Sequence, residues 1–498
     1  MAEMVRQPLT VMADPDENRA GVSDALETDR KTALGQFLTP SVIAQFMATL
    51  FDDPLRPASL LDAGAGIGSL TIAAVRRLGQ VGSIDAWEVD PLMRKHLEQN
   101  LDLLCVKHRV HAEDFIASAV QQIALAQGRR YTHAILNPPY KKLSSDSVHR
   151  ALLRKVGIET VNLYAAFVAL ALFLMEKDGQ IVAILPRSFC NGPYYRRFRF
   201  LILKTCSLER IHVFESRTKA FKDDDVLQEN VIIKLVKGKE QGDIVVSSSH
   251  DQKFTDYKER SFSFSEIVKP SDPEVFIHVP LEEQNADDAA YLFQYSLNEI
   301  GFEVCTGPVV DFRLRAYWLA EPLPHSIPLI YPHHFSGGTL HYPKRHKKPN
   351  ALEDNERVRR WLMPNERYVL VKRFSSKEER RRVVAYLYNP EEIDYRQIGF
   401  ENHWNVFHSQ RRGIDLVLAR GLACFLNSTM LDKHFREFSG HTQVNATDLR
   451  NMKYPNLIFL RALGRTFREG MTQAEIDDKI RLAHEQTNEA GRGSINPC

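Results

Sequence analysis

The chain has 498 residues, of which 44% are hydrophobic and 26% charged, and its formal net charge is +2. This length allows two or three domains, and the near-neutral charge means that any nucleic-acid-binding surface has to be a local patch. The six cysteines are scattered without a C-x-x-C pair, and the longest apolar run, 161–175, is too short to span a bilayer. Composition therefore argues against a disulfide framework, a structural zinc site and a membrane protein, and favours a reduced, cytoplasmic setting.

The first regular element follows a polar stretch. Residues 1–30 show no apolar periodicity, and we expect a mobile arm there. Thr39-Pro40 then resembles a helix N-cap followed by proline at the first helical position. The apolar residues that follow share one helical face: Val42, Ile43, Phe46, Met47 and Leu50.

Short apolar strands alternate with helical stretches up to about residue 240. The predicted strands are Ser59–Ala63, Ile84–Glu88, Arg109–His111, Ala134–Leu136, Gln180–Leu185, Ile211–Phe214 and Asn230–Val236. The predicted helices are Ser69–Leu78, Pro91–Leu101, Ile116–Ala126, Leu163–Lys177 and Tyr194–Lys204. This alternation predicts an α/β fold with a mostly parallel sheet covered by helices on both faces.

Ligand-type groups follow the first two strands. Asp62 begins a loop with glycines at 64, 66 and 68, which lets the backbone approach a ligand at a helix N-terminus. The alternative is a tight turn that binds nothing. Glu88 ends the next strand, where an acid can accept hydrogen bonds from ribose hydroxyls. A nicotinamide cofactor fits this pair of features equally well.

Two further strand ends carry polar groups. Asp114 with Phe115 could bind an adenine, although an aspartate there also suits a helix N-cap. Asn137-Pro138-Pro139-Tyr140 follows the fourth strand, where its prolines stop the strand and stiffen the chain. An amide, rigid carbonyls and an aromatic ring at this sheet edge can hold a planar amine by hydrogen bonds and stacking.

After about residue 240 the elements become shorter and the chain richer in basic and aromatic residues. Basic clusters occupy 343–349 and 377–382, with aromatic side chains nearby. Each cluster can be a DNA-contacting surface or a solvated loop. The stretch 440–443 can likewise be a DNA-contacting loop or a simple turn.

The order of these motifs resembles the class I S-adenosylmethionine-dependent methyltransferases. Within them it is most similar to the gamma-type N6-adenine DNA methyltransferases of restriction–modification systems, the TaqI type. The resemblance implies a catalytic role for Asn137, Pro138 and Tyr140, with Tyr140 and Phe221 stacking on the base. It implies cofactor-binding roles for Thr39, Pro40, Asp62, Gly64, Gly66, Gly68, Glu88, Asp114 and Phe115.

The resemblance also implies the organisation of the chain. A Rossmann-like catalytic domain is expected over 31–240, and a mixed α+β target-recognition domain over 241–498. The residues expected to contact DNA are Lys344, Arg345, Lys347, Lys348, His441 and Gln443. No metal is expected.

The implied activity is methylation of a flipped-out adenine at N6 in double-stranded DNA, with S-adenosyl-L-methionine as methyl donor. The implied setting is the cytoplasm of a bacterium, beside a restriction endonuclease that acts on the same site. Methylation of RNA adenine, cytosine N4 or a protein glutamine remains open, as does an inactive DNA-binding module.

Overall fold

The computed structural model describes residues 39–126, 130–214, 229–251, 253–270, 272–280, 292–375, 381–439 and 443–492. The chain divides into two compact units, Met1–Leu281 and Glu282–Cys498. The expected mobile arm 1–30 lies outside the described residues.

The first unit, as far as it is described, is built around a nine-stranded sheet. Its strands are β1 (Ala58–Ala63), β2 (Val81–Trp87), β3 (His108–His111), β4 (Tyr131–Leu136), β5 (Met175–Pro186), β6 (Cys206–Phe214), β7 (Asn230–Lys237), β8 (Ile244–Ser249) and β9 (Lys258–Phe262). Its α-helices are α1 (Ser41–Thr49), α2 (Ser69–Leu78), α3 (Pro91–Asp102), α4 (Phe115–Ala124), α5 (Val148–Lys155), α6 (Leu163–Leu174), α7 (Arg196–Thr205) and α8 (Phe264–Ile267).

The strand order is β3-β2-β1-β4-β5-β7-β6-β8-β9. Neighbours from β3 to β5 run parallel, whereas β7 runs antiparallel to both β5 and β6. Alternate side chains serve two separate cores: Ala134 and Leu136 pack with α4 and α6, and Ile135 packs with α1 and α2. The predicted α/β methyltransferase-type fold is confirmed.

Two differences between the structure and the sequence prediction concern the sheet. The helix predicted over Leu163–Lys177 ends at Leu174, and Met175 begins β5. A continuous apolar run carries no periodicity that separates a buried helix from a buried strand. Strands β8 and β9 also continue the sheet beyond residue 240, where the sequence placed the end of the catalytic domain. The functional division of the chain stays a prediction.

The second unit combines small sheets with helices. Its strands are β10 (Glu303–Thr306), β11 (Trp318–Leu319), β12 (Ile327–Ile330), β13 (Phe335–Ser336), β14 (Thr339–Leu340), β15 (Ala351–Leu352), β16 (Met363–Pro364), β17 (Tyr368–Lys372), β18 (Ala385–Tyr388), β19 (Gln397–Phe400) and β20 (Trp404–His408). Its α-helices are α9 (Glu356–Arg359), α10 (Leu416–Leu426), α11 (Thr429–Phe438), α12 (Ala446–Asn451), α13 (Leu457–Thr466) and α14 (Gln473–Arg492).

Helices α10 and α13 pack with their backbones almost in contact. A Cβ atom added to Gly421 would lie 1.8 Å from the carbonyl oxygen of Leu460, so a side chain at this position would push the helices apart. The apolar faces of these helices join β17 and β18 in one core.

Candidate active site

Four strand ends bring the predicted ligand groups to one edge of the sheet. Because β1 to β4 are parallel, Asp62, Glu88, Asp114 and Asn137 all lie at or just beyond carboxyl ends. Open α/β folds bind ligands at such edges, outside the carboxyl ends of their strands.

The loop from β1 to α2 is a rigid left-handed turn. Gly64, Gly66 and Gly68 have φ angles of 78°, 57° and 90°. A Cβ atom on Gly68 would lie 2.9 Å from Cδ1 of Leu97 in α3, so both the backbone and the packing require glycine there. The turn therefore presents a fixed backbone at the N-terminus of α2.

Asp62 is a buried carboxylate with one unused oxygen. Its Oδ2 accepts a hydrogen bond of 2.6 Å from the hydroxyl of Thr71, whereas Oδ1 has no partner among the described residues. Burial raises the pKa of Asp62 to about 7, the charge of Glu88 adds to the rise, and the bond from Thr71 opposes it. Such an acceptor suits a cationic or N–H-bearing ligand group.

Glu88 ties the glycine turn to the end of β2. One carboxylate oxygen accepts from the backbone N–H of Gly66 at 2.9 Å, and the other accepts from that of Asp90 at 2.7 Å. A carboxylate offers about four acceptor positions, and an acid at the end of the second strand is placed to accept from ribose hydroxyls.

Asp114 and Phe115 begin α4. Asp114 caps this helix through Oδ1, which accepts from the N–H of Ala117 at 2.9 Å, and its Oδ2 lies 3.2 Å from Nε2 of His149. The N-cap role that the sequence left open is therefore observed. Phe115 is only 2% exposed and packs against Trp87 and Phe167, with ring centroids 5.3 and 5.0 Å away.

Asn137 lies between two hydroxyl groups. Its Nδ2 donates to Oγ1 of Thr39 at 2.9 Å, and its Oδ1 accepts from the hydroxyl of Tyr140 at 3.1 Å. The Tyr140 hydroxyl also lies 3.3 Å from the carbonyl oxygen of Ile184, and burial raises its pKa, so it is a neutral donor. Pro138, the residue that follows Asn137 in the sequence, is buried.

An aromatic network that the sequence did not reveal lies behind Tyr140. The ring of Tyr164 meets Tyr140 edge-on at 6.2 Å, and the ring of Tyr195 stacks on Tyr164 at 5.5 Å. Asn162 donates to the Tyr195 hydroxyl at 2.6 Å. The apolar run that contains Tyr164 gave only a weak signal, because a tyrosine in such a run is usually a core residue.

In the basic loop 341–349 of the second unit, two lysines contact other parts of the protein, whereas two other basic residues make no such contact among the described residues. Lys348 forms an ion pair of 2.6 Å with the buried Asp311, and Lys344 donates to the carbonyl oxygen of His333 at 2.9 Å. Arg345 and Lys347 are exposed and make no hydrogen bond or ion pair within the described part of the chain.

The other predicted DNA contacts are less completely seen. Gln443 forms an isolated β-bridge with Phe374, whereas Phe221 and His441 lie outside the described residues. In the second basic cluster Arg382 is fully buried, with its guanidinium 5.8 Å from the ring centroid of Phe435, so it cannot belong to a solvated face.

Neither a metal centre nor a membrane span emerges from the described ranges. No group of three or more His, Cys, Asp or Glu side chains there could hold a metal ion. Over the same residues, no helix is both long and apolar enough to cross a bilayer.

The sheet order, the glycine turn and the polar strand ends agree with the methyltransferase-type site that the sequence predicts. Comparison with known proteins supports this class. Residues 85–221 match the Eco57I restriction-modification methylase family. The chain is 49% identical to the type II methyltransferase M.BsuBI of Bacillus subtilis over 94% of its length and 97% of that protein. It is 41% identical to the type II methyltransferase M.PstI of Providencia stuartii over 96% of its length and 99% of that protein.

A solved structure shares the fold at low identity. The cryo-EM structure of the DrdV–DNA complex matches with a TM-score of 0.51 and 12% identity, covering 95% of this chain and 60% of that one. On the similarity to the two bacterial enzymes, the chain belongs to the type II DNA methyltransferases of restriction–modification systems. Its cofactor is S-adenosyl-L-methionine.

The residues present fit this cofactor. The Oδ1 of buried Asp62, which has no partner among the described residues, can accept a bond from the cationic amino-acid part, and the carboxylate of Glu88 after β2 is placed for the ribose hydroxyls. The fixed turn at Gly68 lets the backbone approach the ligand closely.

Proposed function

We propose that this enzyme methylates the N6 amine of an adenine flipped out of double-stranded DNA. The observation that carries the proposal is the position of Asn137, Pro138 and Tyr140 at the end of β4, beside the carboxylates of Asp62 and Glu88. Acceptor oxygens and an aromatic ring there suit a planar exocyclic amine.

Asn137 and Pro138 activate the amine in this proposal. The N6 lone pair is conjugated with the ring, and acceptors at the Asn137 side-chain oxygen and the Pro138 backbone carbonyl draw the nitrogen toward tetrahedral geometry. Both bonds strengthen as positive charge develops on nitrogen, so they favour the transition state over the ground state.

Methyl transfer itself needs no strong base. When bound, the cofactor would supply an electrophilic methyl group on its sulfonium sulfur, and transfer of that methyl group to N6 would release the sulfur as a neutral thioether. The amine proton becomes acidic only then, and it leaves to solvent. Tyr140 stacks on the base and aligns the amine with the methyl group, which is a proximity effect. In the structure the Tyr140 hydroxyl donates to Asn137 Oδ1, so in this proposal the incoming N–H shares that oxygen with the hydroxyl or displaces it.

Four other predicted residues bind the cofactor and two bind the DNA in this proposal. Asp62 and Glu88 take the amino-acid part and the ribose, and Asp114 with Phe115 takes the adenine. Arg345 and Lys347 contact phosphates, since both are exposed on a loop that Lys348 anchors through its ion pair with Asp311. A restriction endonuclease that cuts the same site would be the functional partner.

The test is identification of the methylated product. Purified enzyme is incubated with duplex DNA and radiolabelled cofactor, and the digested nucleosides are separated by mass spectrometry, with RNA and protein substrates in parallel. N6-methyladenine from DNA alone supports the proposal. N4-methylcytosine, methylated RNA or methylglutamine would each refute it in favour of that substrate, and no product on any of them would favour an inactive DNA-binding module.

A further inference from the structure

The catalytic amide of Asn137 is held by a residue far away in sequence. Thr39 is only 6% exposed, and its Oγ1 accepts from Asn137 Nδ2 at 2.9 Å across a separation of 98 residues. We propose that Thr39 is a positioning residue, whose hydroxyl keeps the Asn137 carbonyl oxygen turned toward the substrate amine. The inference rests on the proposed role of Asn137.

Packing of α1 explains why Thr39 lies at this point. Pro40 accepts the first hydrogen bond of the helix, from the N–H of Ala44 at 2.9 Å. Ile43 is fully buried in the same core as Ile135, two residues before Asn137 in β4. The core between α1 and β4 therefore sets Thr39 against the end of that strand, and the fixed φ of Pro40 limits its movement.

The chemistry needs this orientation because the two ends of an amide are nearly equal in size and opposite in hydrogen bonding. An inverted Asn137 would point its NH2 group at the substrate amine, where two donors would meet. Thr39 accepts from Nδ2 on one side, and the Tyr140 hydroxyl donates to Oδ1 on the other. A hydroxyl can donate or accept, so the two contacts fix where the amide lies, and the observed orientation places Nδ2 on Thr39 and Oδ1 on Tyr140.

The competing role for Thr39 is contact with the cofactor alone, as its place in the N-terminal motif implies. The two roles differ in what the hydroxyl controls. A positioning role acts on the rate of methyl transfer, whereas a cofactor contact acts on cofactor affinity.

The test compares three variants. Thr39→Val removes the hydroxyl at nearly constant size, and Thr39→Ser keeps it. Thr49→Val is the matched control, because Thr49 ends the same helix and, among the described residues, its hydroxyl bonds only to the carbonyl of Phe46 at 2.6 Å. Three quantities are measured: the single-turnover rate at saturating cofactor and DNA, the Kd for S-adenosyl-L-methionine, and the melting temperature.

We expect Thr39→Val to lower the single-turnover rate by about tenfold, the size of one lost hydrogen bond expressed in the transition state. Its cofactor Kd and melting temperature should stay near those of the wild type, and Thr39→Ser should restore the rate. A raised Kd with an unchanged rate would overturn the proposal in favour of a cofactor contact. A serine variant as slow as the valine variant would instead indicate a packing role.

The design allows for a variant that fails to fold and for a wild-type product other than N6-methyladenine. If Thr39→Val fails to fold by circular dichroism, Thr39→Ala is compared with Thr39→Ser in the same way, and equal rates would overturn the proposal. The wild-type product is identified separately. A product other than N6-methyladenine refutes the proposed substrate, while the valine and serine rates on that product still decide the role of Thr39.

Discussion

At the scale of single residues, the candidate site is described by the hydrogen-bond partners of its side chains. Asn137 donates to Thr39 and accepts from Tyr140, and Asp62 accepts from Thr71 through Oδ2 while its Oδ1 has no partner among the described residues. In the proposed function these two side chains have different tasks: Asn137, just after β4, acts on the substrate amine, and Asp62, the penultimate residue of β1, binds the cofactor. Substitutions should therefore separate chemistry from cofactor binding.

Asn137→Ala should remove methyl transfer and leave cofactor binding nearly intact. Loss of an acceptor that acts in the transition state costs about 10²- to 10³-fold in rate. Single-turnover kinetics and equilibrium cofactor binding measure the two effects. Reduced cofactor affinity with normal turnover would contradict the assignment.

Tyr140→Ala should weaken capture of the flipped base, whereas Tyr140→Phe should keep it because the ring remains. Stacking of a base on an aromatic ring is worth about 1–3 kcal/mol. A fluorescent adenine analogue at the target position reports the stacking. Equal fluorescence changes for the wild type and the alanine variant would argue against Tyr140 as the stacking ring.

Asp62 should make stability depend on pH. The folded pKa is about 7 against 3.8 for the ordinary group, so between these values the folded protein holds a proton that the unfolded chain releases. The free energy of unfolding should therefore fall as the pH rises through this window.

Asp62→Asn should remove the loss of stability that the buried carboxyl group causes as the pH rises. Its melting temperature should exceed that of the wild type by a few degrees at pH 8, with little difference near pH 4. At pH 8 it should bind the cofactor about tenfold more weakly, because a charge-assisted hydrogen bond is lost. Equal melting temperatures of the two proteins at pH 8 would show that the carboxylate is not strained by burial.

At the scale of elements, the glycine turn and helix α2 form one unit. Gly68 lies at the start of α2 and Gly79 at its end, both with positive φ, but only Gly68 is packed against a neighbouring side chain. The two ends of one helix therefore provide a matched pair of sites.

Gly68→Ala should destabilise the protein more than Gly79→Ala and should also weaken cofactor binding. Both variants pay about 1–2 kcal/mol for a side chain in the left-handed region. Only Gly68→Ala adds a steric clash, because its Cβ atom would lie 2.9 Å from Cδ1 of Leu97. Thermal melting and cofactor titration compare them; similar losses in both would mean that the turn tolerates a side chain.

The sequence predicted most elements of the first unit but not where its sheet ends. Alternating apolar runs and turn residues are local signals, and they identified the strands from β1 to β7. Strand β9 is exposed or half-exposed throughout and carries no apolar alternation, so its pairing with β8 was not foreseeable.

At the scale of the whole molecule, a net charge of +2 requires that DNA contacts come from local surfaces. The loop 341–349 contains one basic residue that is paired inside the protein and two that are exposed. Lys348 neutralises the buried Asp311 and holds the loop, while Arg345 and Lys347 remain exposed.

Arg345→Ala and Lys347→Ala should each weaken DNA binding without lowering the melting temperature. Each should also reduce the slope of log affinity against log salt concentration by about 1, the value for one phosphate contact. Lys348→Ala is the contrasting variant and should lower the melting temperature, since Asp311 is left buried and unpaired. An unchanged salt slope in both exposed-residue variants would remove this loop from the DNA interface.

The sequence by itself determined the features that depend on local backbone chemistry. The glycines after Asp62 and the two prolines after Asn137 determine which φ angles are accessible, independently of the tertiary structure. The tertiary structure alone decided the contact of Thr39 with Asn137, the aromatic support behind Tyr140, and the pairing of Lys348 with Asp311. These contacts depend on which elements pack together, and packing of distant segments leaves no signal in the spacing of residues.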